Sequence, residues 1–139
     1  METIVVGVDG SEASQRALEW AADEARSRHA RLRVVHAWIE VFLSGYFAAP
    51  AQYEREVIEQ AAREQLDKAI ASIPSGATEI DVEPVLAHGS AAVVLLEQSE
   101  HASMLVVGSR GRGGFAELLL GSVSHHVVQH ATCPVVVIR

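Results

Sequence analysis

Five glycines and three serines fall between Gly108 and Ser124, and these are residue types suited to holding phosphate. The segment reads Gly108-Ser109-Arg110-Gly111-Arg112-Gly113-Gly114, then Phe115 to Leu120, then Gly121-Ser122-Val123-Ser124. Gly108 and Gly111 allow the backbone to turn tightly and pass close to a ligand. Gly121 and Ser122 open a helical pattern, where unpaired N–H groups and the helix dipole favour an anion. The hydroxyls of Ser122 and Ser124 add donors. Arg110 and Arg112 can reach phosphate oxygens or simply point into water. Glycine-rich surface loops are common, so the cluster alone is weak; its place in the fold decides its weight.

Two other phosphate motifs are weighed. No G-x-x-x-x-G-K-[ST] occurs, which excludes a P-loop. Gly111-Arg112-Gly113-Gly114-Phe115-Ala116 formally matches G-x-G-x-x-[GA]. A dinucleotide fingerprint also wants an acidic residue about 20 residues on, after the next strand. No such acid follows before Arg139, and the match is rejected.

Short apolar runs alternate with longer amphipathic stretches, the pattern of βα units around a parallel sheet. Strands are expected at Thr3–Val8, Leu32–Trp38, Glu79–Leu86, Met104–Val107 and Pro134–Ile138. Helices are expected at Ala13–Arg28, Tyr53–Ile73, from Gly89-Ser90 to near Glu100, and Ser122–Ala131. The stretch Ile39 to Gln52, with Phe42, Gly45, Tyr46, Phe47 and Pro50, reads as a loop. The third strand alternates Ile80 and Val82 with Asp81 and Glu83 and contains Pro84, both marks of an edge. A doubly wound chain of this kind takes the strand order 3-2-1-4-5, with right-handed crossovers. Ligands of open α/β sheets bind where the order reverses, outside the carboxyl ends of the strands. That point lies between the first and fourth strands, at Asp9-Gly10-Ser11 and the loop beginning at Gly108.

The bulk numbers narrow the partners. The 139 residues make one domain, residues 1–139, and close to half of them are apolar, enough for a core. Net charge is −7, which argues against a nucleic-acid partner, whereas backbone N–H groups bind a small anion at any net charge. The single cysteine, Cys133, excludes an internal disulfide and fits a reducing compartment. No apolar stretch approaches the roughly 18 residues that span a bilayer, and Met1-Glu2-Thr3-Ile4 does not look like a signal peptide. The expectation is a soluble cytoplasmic protein with no membrane partner.

Seven histidines show no clean metal-ligand spacing. His126 and His130 stand four apart on a helix, but no Glu lies between them in H-E-x-x-H fashion. Ser109 is not in a G-x-S-x-G elbow, and no Ser-His-Asp set can be argued. The last strand, Val135 to Ile138, is a bare apolar edge, an aggregation hazard that pairing with a second copy would remove.

Gly108-x2-Gly111-x9-Gly121-Ser122 resembles the nucleotide motif G-x2-G-x9-G-[ST] of the universal stress protein family. The likeness extends along the chain. Ile4 to Ser11 looks like the family's first strand and acidic turn, Leu32 to Ala37 like its second strand, and Ala131 to Val137 like its closing segment. The resemblance implies a flavodoxin-like, Rossmann-like α/β fold with helices on both faces, ATP binding in many members, and frequent homodimers. The intact glycine-serine motif groups this chain with the binders. Carried over by position, Asp9 would hold the ribose or adenine end, and Val8 and Ala37 would line the adenine slot. Gly108, Gly111, Gly121, Ser122 and Ser124, with their neighbours Ser109, Arg112 and Val123, would hold ribose and phosphates. The implied cofactor is ATP, with or without Mg. Asp9 also has a plain reading as a turn residue ahead of a helix.

A regulatory nucleotide-binding protein, read by an unidentified protein partner, is the leading expectation. Slow ATP hydrolysis is the second; it requires a metal ligand and a positioned base, and no convincing base or P-loop lysine is found. An interaction module without nucleotide, docking through Phe42 to Phe47, is the third.

Overall fold

A computed structural model describes residues 1–40, 52–111 and 120–139, with no side chains described at 52 and 53. The chain order is β1 (Thr3–Gly7), α1 (Glu12–Arg28), β2 (Arg31–Trp38), α2 (Gln52–Ala71), β3 (Asp81–His88), α3 (Ala91–Gln98), β4 (Met104–Gly108), α4 (Ser122–His130) and β5 (Val135–Ile138). The five strands form one parallel sheet in the order β3-β2-β1-β4-β5, a flavodoxin-like arrangement.

Side-chain alternation along the strands builds two cores. Ile4, Val6, Leu32, Val34, Met104 and Val106 face one side, where Ala17, Leu18, Ala21 and Ala25 of α1 and Leu66 of α2 cover them. Val5, Val35, Leu105 and Val107 face the other, under Val94 and Leu95 of α3 and Val127 of α4. The register keeps each layer in line, as in Ile4↔Leu32 and Ile4↔Met104. Burial on both faces explains why β1 and β4 are nearly unbroken apolar runs.

Element ends depart from expectation by up to two residues, for local reasons. β3 lies at Asp81–His88, two residues later than expected, because it pairs along the full length of β2, from Arg31↔Asp81 to Trp38↔His88. The ion pairs Arg31–Asp81 (2.8 Å) and Arg33–Glu83 (3.0 Å) lie across that register. The edge position expected from Pro84 is found. α2 stops at Ala71, and Ile73 N–H bonds to Ile70 carbonyl in a tighter last turn. Residues 41–51, with the aromatic stretch expected to form a loop or docking surface, lie outside the described residues. Among those described, no helix is long and apolar enough to cross a membrane.

Glu40, just past β2, ties this end of the sheet together. Its Oε2 lies 2.8 Å from His88 Nε2, and its Oε1 accepts from Arg55 Nε at 2.7 Å. The His88 ring also meets Trp38 edge-on, 4.7 Å between centroids. The hydrogen bond with His88, reinforced by the backbone and Arg55, pulls the Glu40 carboxyl from 4.5 to about 2. A depressed carboxylate stabilises fully above its unfolded pKa and loses that contribution as pH falls through the folded one. The melting-temperature gap between wild type and Glu40→Gln is therefore expected to stand at pH 6 and to close between pH 4.5 and about 2. Circular-dichroism melts across that range test it; a constant gap would contradict it.

Candidate functional site

Because β1 and β4 are neighbours whose connections leave in opposite directions, their carboxyl ends open a cleft. A cavity of about 380 Å³ lies there. Its apolar part is made by Val35, Ala37, Leu95 and Val107; its polar part by Asp9, Ser14, Arg110, Ser122 and the glycine backbone.

The turn after β1 is closed by its own side chains. Gly10 takes φ 82°, a left-handed conformation that glycine adopts without strain. Ser11 N–H donates to Asp9 Oδ1 at 2.9 Å, and Ser11 Oγ caps α1 by accepting from Ser14 N–H at 3.2 Å. Ser14 Oγ accepts from Asp9 N–H at 3.2 Å. The second Asp9 oxygen faces the other loop: a Cβ on Gly111 would stand 2.7 Å from Asp9 Oδ2. Any side chain at this position would push the Asp9 carboxylate aside.

The opposite rim is the start of α4. Gly121 occupies the N-cap and supplies no side-chain hydrogen bond to the first turn, unlike Ser11 on α1. Its own N–H donates to Ser109 carbonyl at 2.6 Å, and Ser124 Oγ donates to the same carbonyl at 2.9 Å. Ser109 N–H donates to Ile138 carbonyl at 2.7 Å. Ser109 is thus a buried brace that joins the two ends of the glycine loop to β5. An amide-lined helix start with no side-chain cap is suited to an anion.

The cavity gathers Val8, Asp9, Ala37, Gly108, Gly111, Gly121, Ser122, Val123 and Ser124 from the expected set. Ser109 is next to it but not in its wall, and Ser124 turns its buried hydroxyl to Ser109 and Gly121 carbonyls. Arg112 lies outside the described residues. The sequence reading missed Leu95 and Ala91 of α3, because no motif marks them. The one signal for Leu95 is Gly7 in an apolar strand: a Cβ there would stand 2.9 Å from Leu95 Cδ1, so the glycine admits the leucine. Asp9 is the single carboxylate in the described wall. Among the described residues no cluster of three or more His, Cys, Asp or Glu could hold a metal. The His126 and His130 rings stack at 4.4 Å on α4 and belong to no such cluster.

Comparison with known proteins puts a family to this geometry. The model of the universal stress protein family matches residues 1–139. Universal stress protein Rv2623 of Mycobacterium tuberculosis is 39% identical over 136 residues, 98% of this chain, and the chain spans only 44% of that relative's length. Universal stress protein YxiE of Bacillus subtilis is 34% identical over 98% of this chain and 97% of its own. A crystal structure of a universal stress protein in complex with cAMP is 31% identical with a TM-score of 0.67, covering 99% of this chain and 97% of that one.

Proposed function

The chain belongs to the universal stress protein family, and we propose that it is a regulatory member holding ATP in the cavity between β1 and β4. One observation carries the reading: a single cavity joins an apolar slot to an uncapped helix start. An adenine nucleotide has the same two ends, a flat base and an anion. A universal stress protein 31% identical to this chain is in complex with cAMP, an adenine nucleotide, which supports the reading. The α4 start, Ser122 and Arg110 give room and donors for further phosphates, and Asp9 suits a ribose hydroxyl or an accompanying Mg.

Strand geometry supports adenine over guanine. Backbone groups of alternate strand residues point to the same side. Val35 carbonyl bonds Val8 N–H on the β1 side, and Trp38 carbonyl bonds Gly89 N–H on the β3 side. Ala37 therefore turns its N–H and carbonyl toward β1, beyond the point where β1 ends and where the cavity lies. An N–H beside a carbonyl complements adenine N1 and its amino group; guanine presents the reverse pattern. A buried mismatch of that kind is costly.

A thermal-shift panel tests the reading. At a concentration about 100 times the Kd, a ligand adds about 2.7 kcal/mol of stability. ATP should raise the melting temperature by several degrees and GTP should not. Equal responses, or none, would refute it.

The same reading includes a homodimer through β5. Leu105 N–H bonds Pro134 carbonyl and Ser109 N–H bonds Ile138 carbonyl, so by alternation Val135 and Val137 direct their N–H and carbonyl groups to the open edge. Val137→Pro removes one edge donor and leaves the β4 ladder whole. Light scattering is expected to find a dimer for wild type and a monomer for the variant; two equal masses would argue against this interface.

A further inference from the structure

Val8 N–H donates to Val35 carbonyl at 2.9 Å, and that is the last rung of the β1–β2 ladder. The register stops at Gly7↔Val35. In a continuing parallel ladder the next rung would run from Ala37 N–H to Val8 carbonyl. The Val8 carbonyl is instead met by His36 Nδ1 at 2.8 Å. A carbonyl oxygen can only accept, so Nδ1 carries the proton and donates. We propose that His36 is a positioning residue: by capturing the Val8 carbonyl it ends the ladder one rung early and leaves the Ala37 amide to the base of the nucleotide.

The inference rests on the adenine reading of the cavity. His36 itself does not reach the ligand. It is 7% exposed and lies on the α2 side of the sheet, beside Ala61 and Ala62, whereas Ala37 packs on the α3 side with Leu95. Its influence passes through one backbone carbonyl. Without the ring donor, that carbonyl finds its strongest available partner in the Ala37 amide, since a buried carbonyl left unbonded is costly.

His36→Leu removes the donor and keeps an apolar filling. His36→Asn places an amide donor near the Nδ1 position. In ligand-free His36→Leu the exchange of the Ala37 amide is expected to slow tenfold or more, as the new rung forms. Its Kd for ATP should rise tenfold or more, about 1.4 kcal/mol, with the preference for ATP over GTP shrinking in step. His36→Asn should stay within about threefold of wild type on both counts. Unchanged affinity and base preference in His36→Leu would overturn the proposal, as would a His36→Asn variant as impaired as His36→Leu. Wild type alone gives a test free of any folding defect: the Ala37 amide must exchange faster than that of Val35 without ATP and become protected with it. Protection already complete without nucleotide would overturn the proposal. Absence of any adenine-nucleotide binding by wild type would defeat the ATP reading instead, and the ligand-free exchange rates would still judge the early end of the ladder.

Discussion

Gly121→Asp is expected to weaken ATP binding about a hundredfold or more while leaving the fold in place. Gly121 has φ −71° and ψ 173°, extended backbone that any residue adopts. Aspartate is a favoured N-cap, so α4 should start as well as before or better. A Cβ there meets Arg110 Cα at 3.3 Å and Ser109 carbonyl at 3.4 Å, so the Arg110 backbone must give by a few tenths of an ångström, and the thermal melt reads whether it does. The new carboxylate takes up the N–H groups that would hold phosphate and repels it as well. Two unit charges about 4 Å apart at a partly exposed site interact by about 4 kcal/mol, so a loss of about a hundredfold or more is expected. Calorimetry with ATP and a thermal melt, run together, read both effects. Gly121→Ser, which adds the Cβ without the charge, separates steric from electrostatic loss. A Kd for Gly121→Asp within threefold of wild type would place the phosphates elsewhere.

Asp9→Ala should lower ATP affinity by about 10- to 100-fold, the range for hydrogen bonds to a charged group. The variant loses two functions at once. Oδ1 accepts Ser11 N–H at 2.9 Å and shapes the turn before α1, while Oδ2 faces the Gly111 turn at the cavity wall. Asp9→Asn keeps an acceptor for Ser11 and removes only the charge. Asn should therefore keep the melting temperature and lose part of the affinity; Ala should lose some of both. Should both variants bind ATP as wild type does, Asp9 is a turn residue and nothing more.

Much of this arrangement is legible in the residues themselves. Period-two and period-3.6 apolar patterns reveal the βα alternation, and Pro84 with its charged neighbours points β3 to an edge. Once that order is set, the switch point follows, and with it the pairing of Asp9 with the Gly108 loop. Gly111 is readable as a close approach, but not what it approaches: Asp9 Oδ2 is about a hundred positions away in the chain, and only the fold brings them together.

Two kinds of feature escape the sequence. Leu95 lies in a helix whose apolar residues all look alike until the crossover sets which of them overhangs β1. His36 reads as one more residue of an apolar strand, because its contact depends on where β1 stops, and strand ends are set by competition among hydrogen bonds of similar strength. Ser109 sits in the motif yet serves as a brace, a distinction visible only from its bonds to Ile138 and Gly121.

The most direct test of the central claim is calorimetric titration of the wild-type chain with ATP, with and without Mg, beside GTP. One site per chain with micromolar affinity for ATP, and GTP weaker by at least about tenfold, is the predicted result. No heat from ATP across a range reaching millimolar, or equal affinity for the two bases, would contradict it.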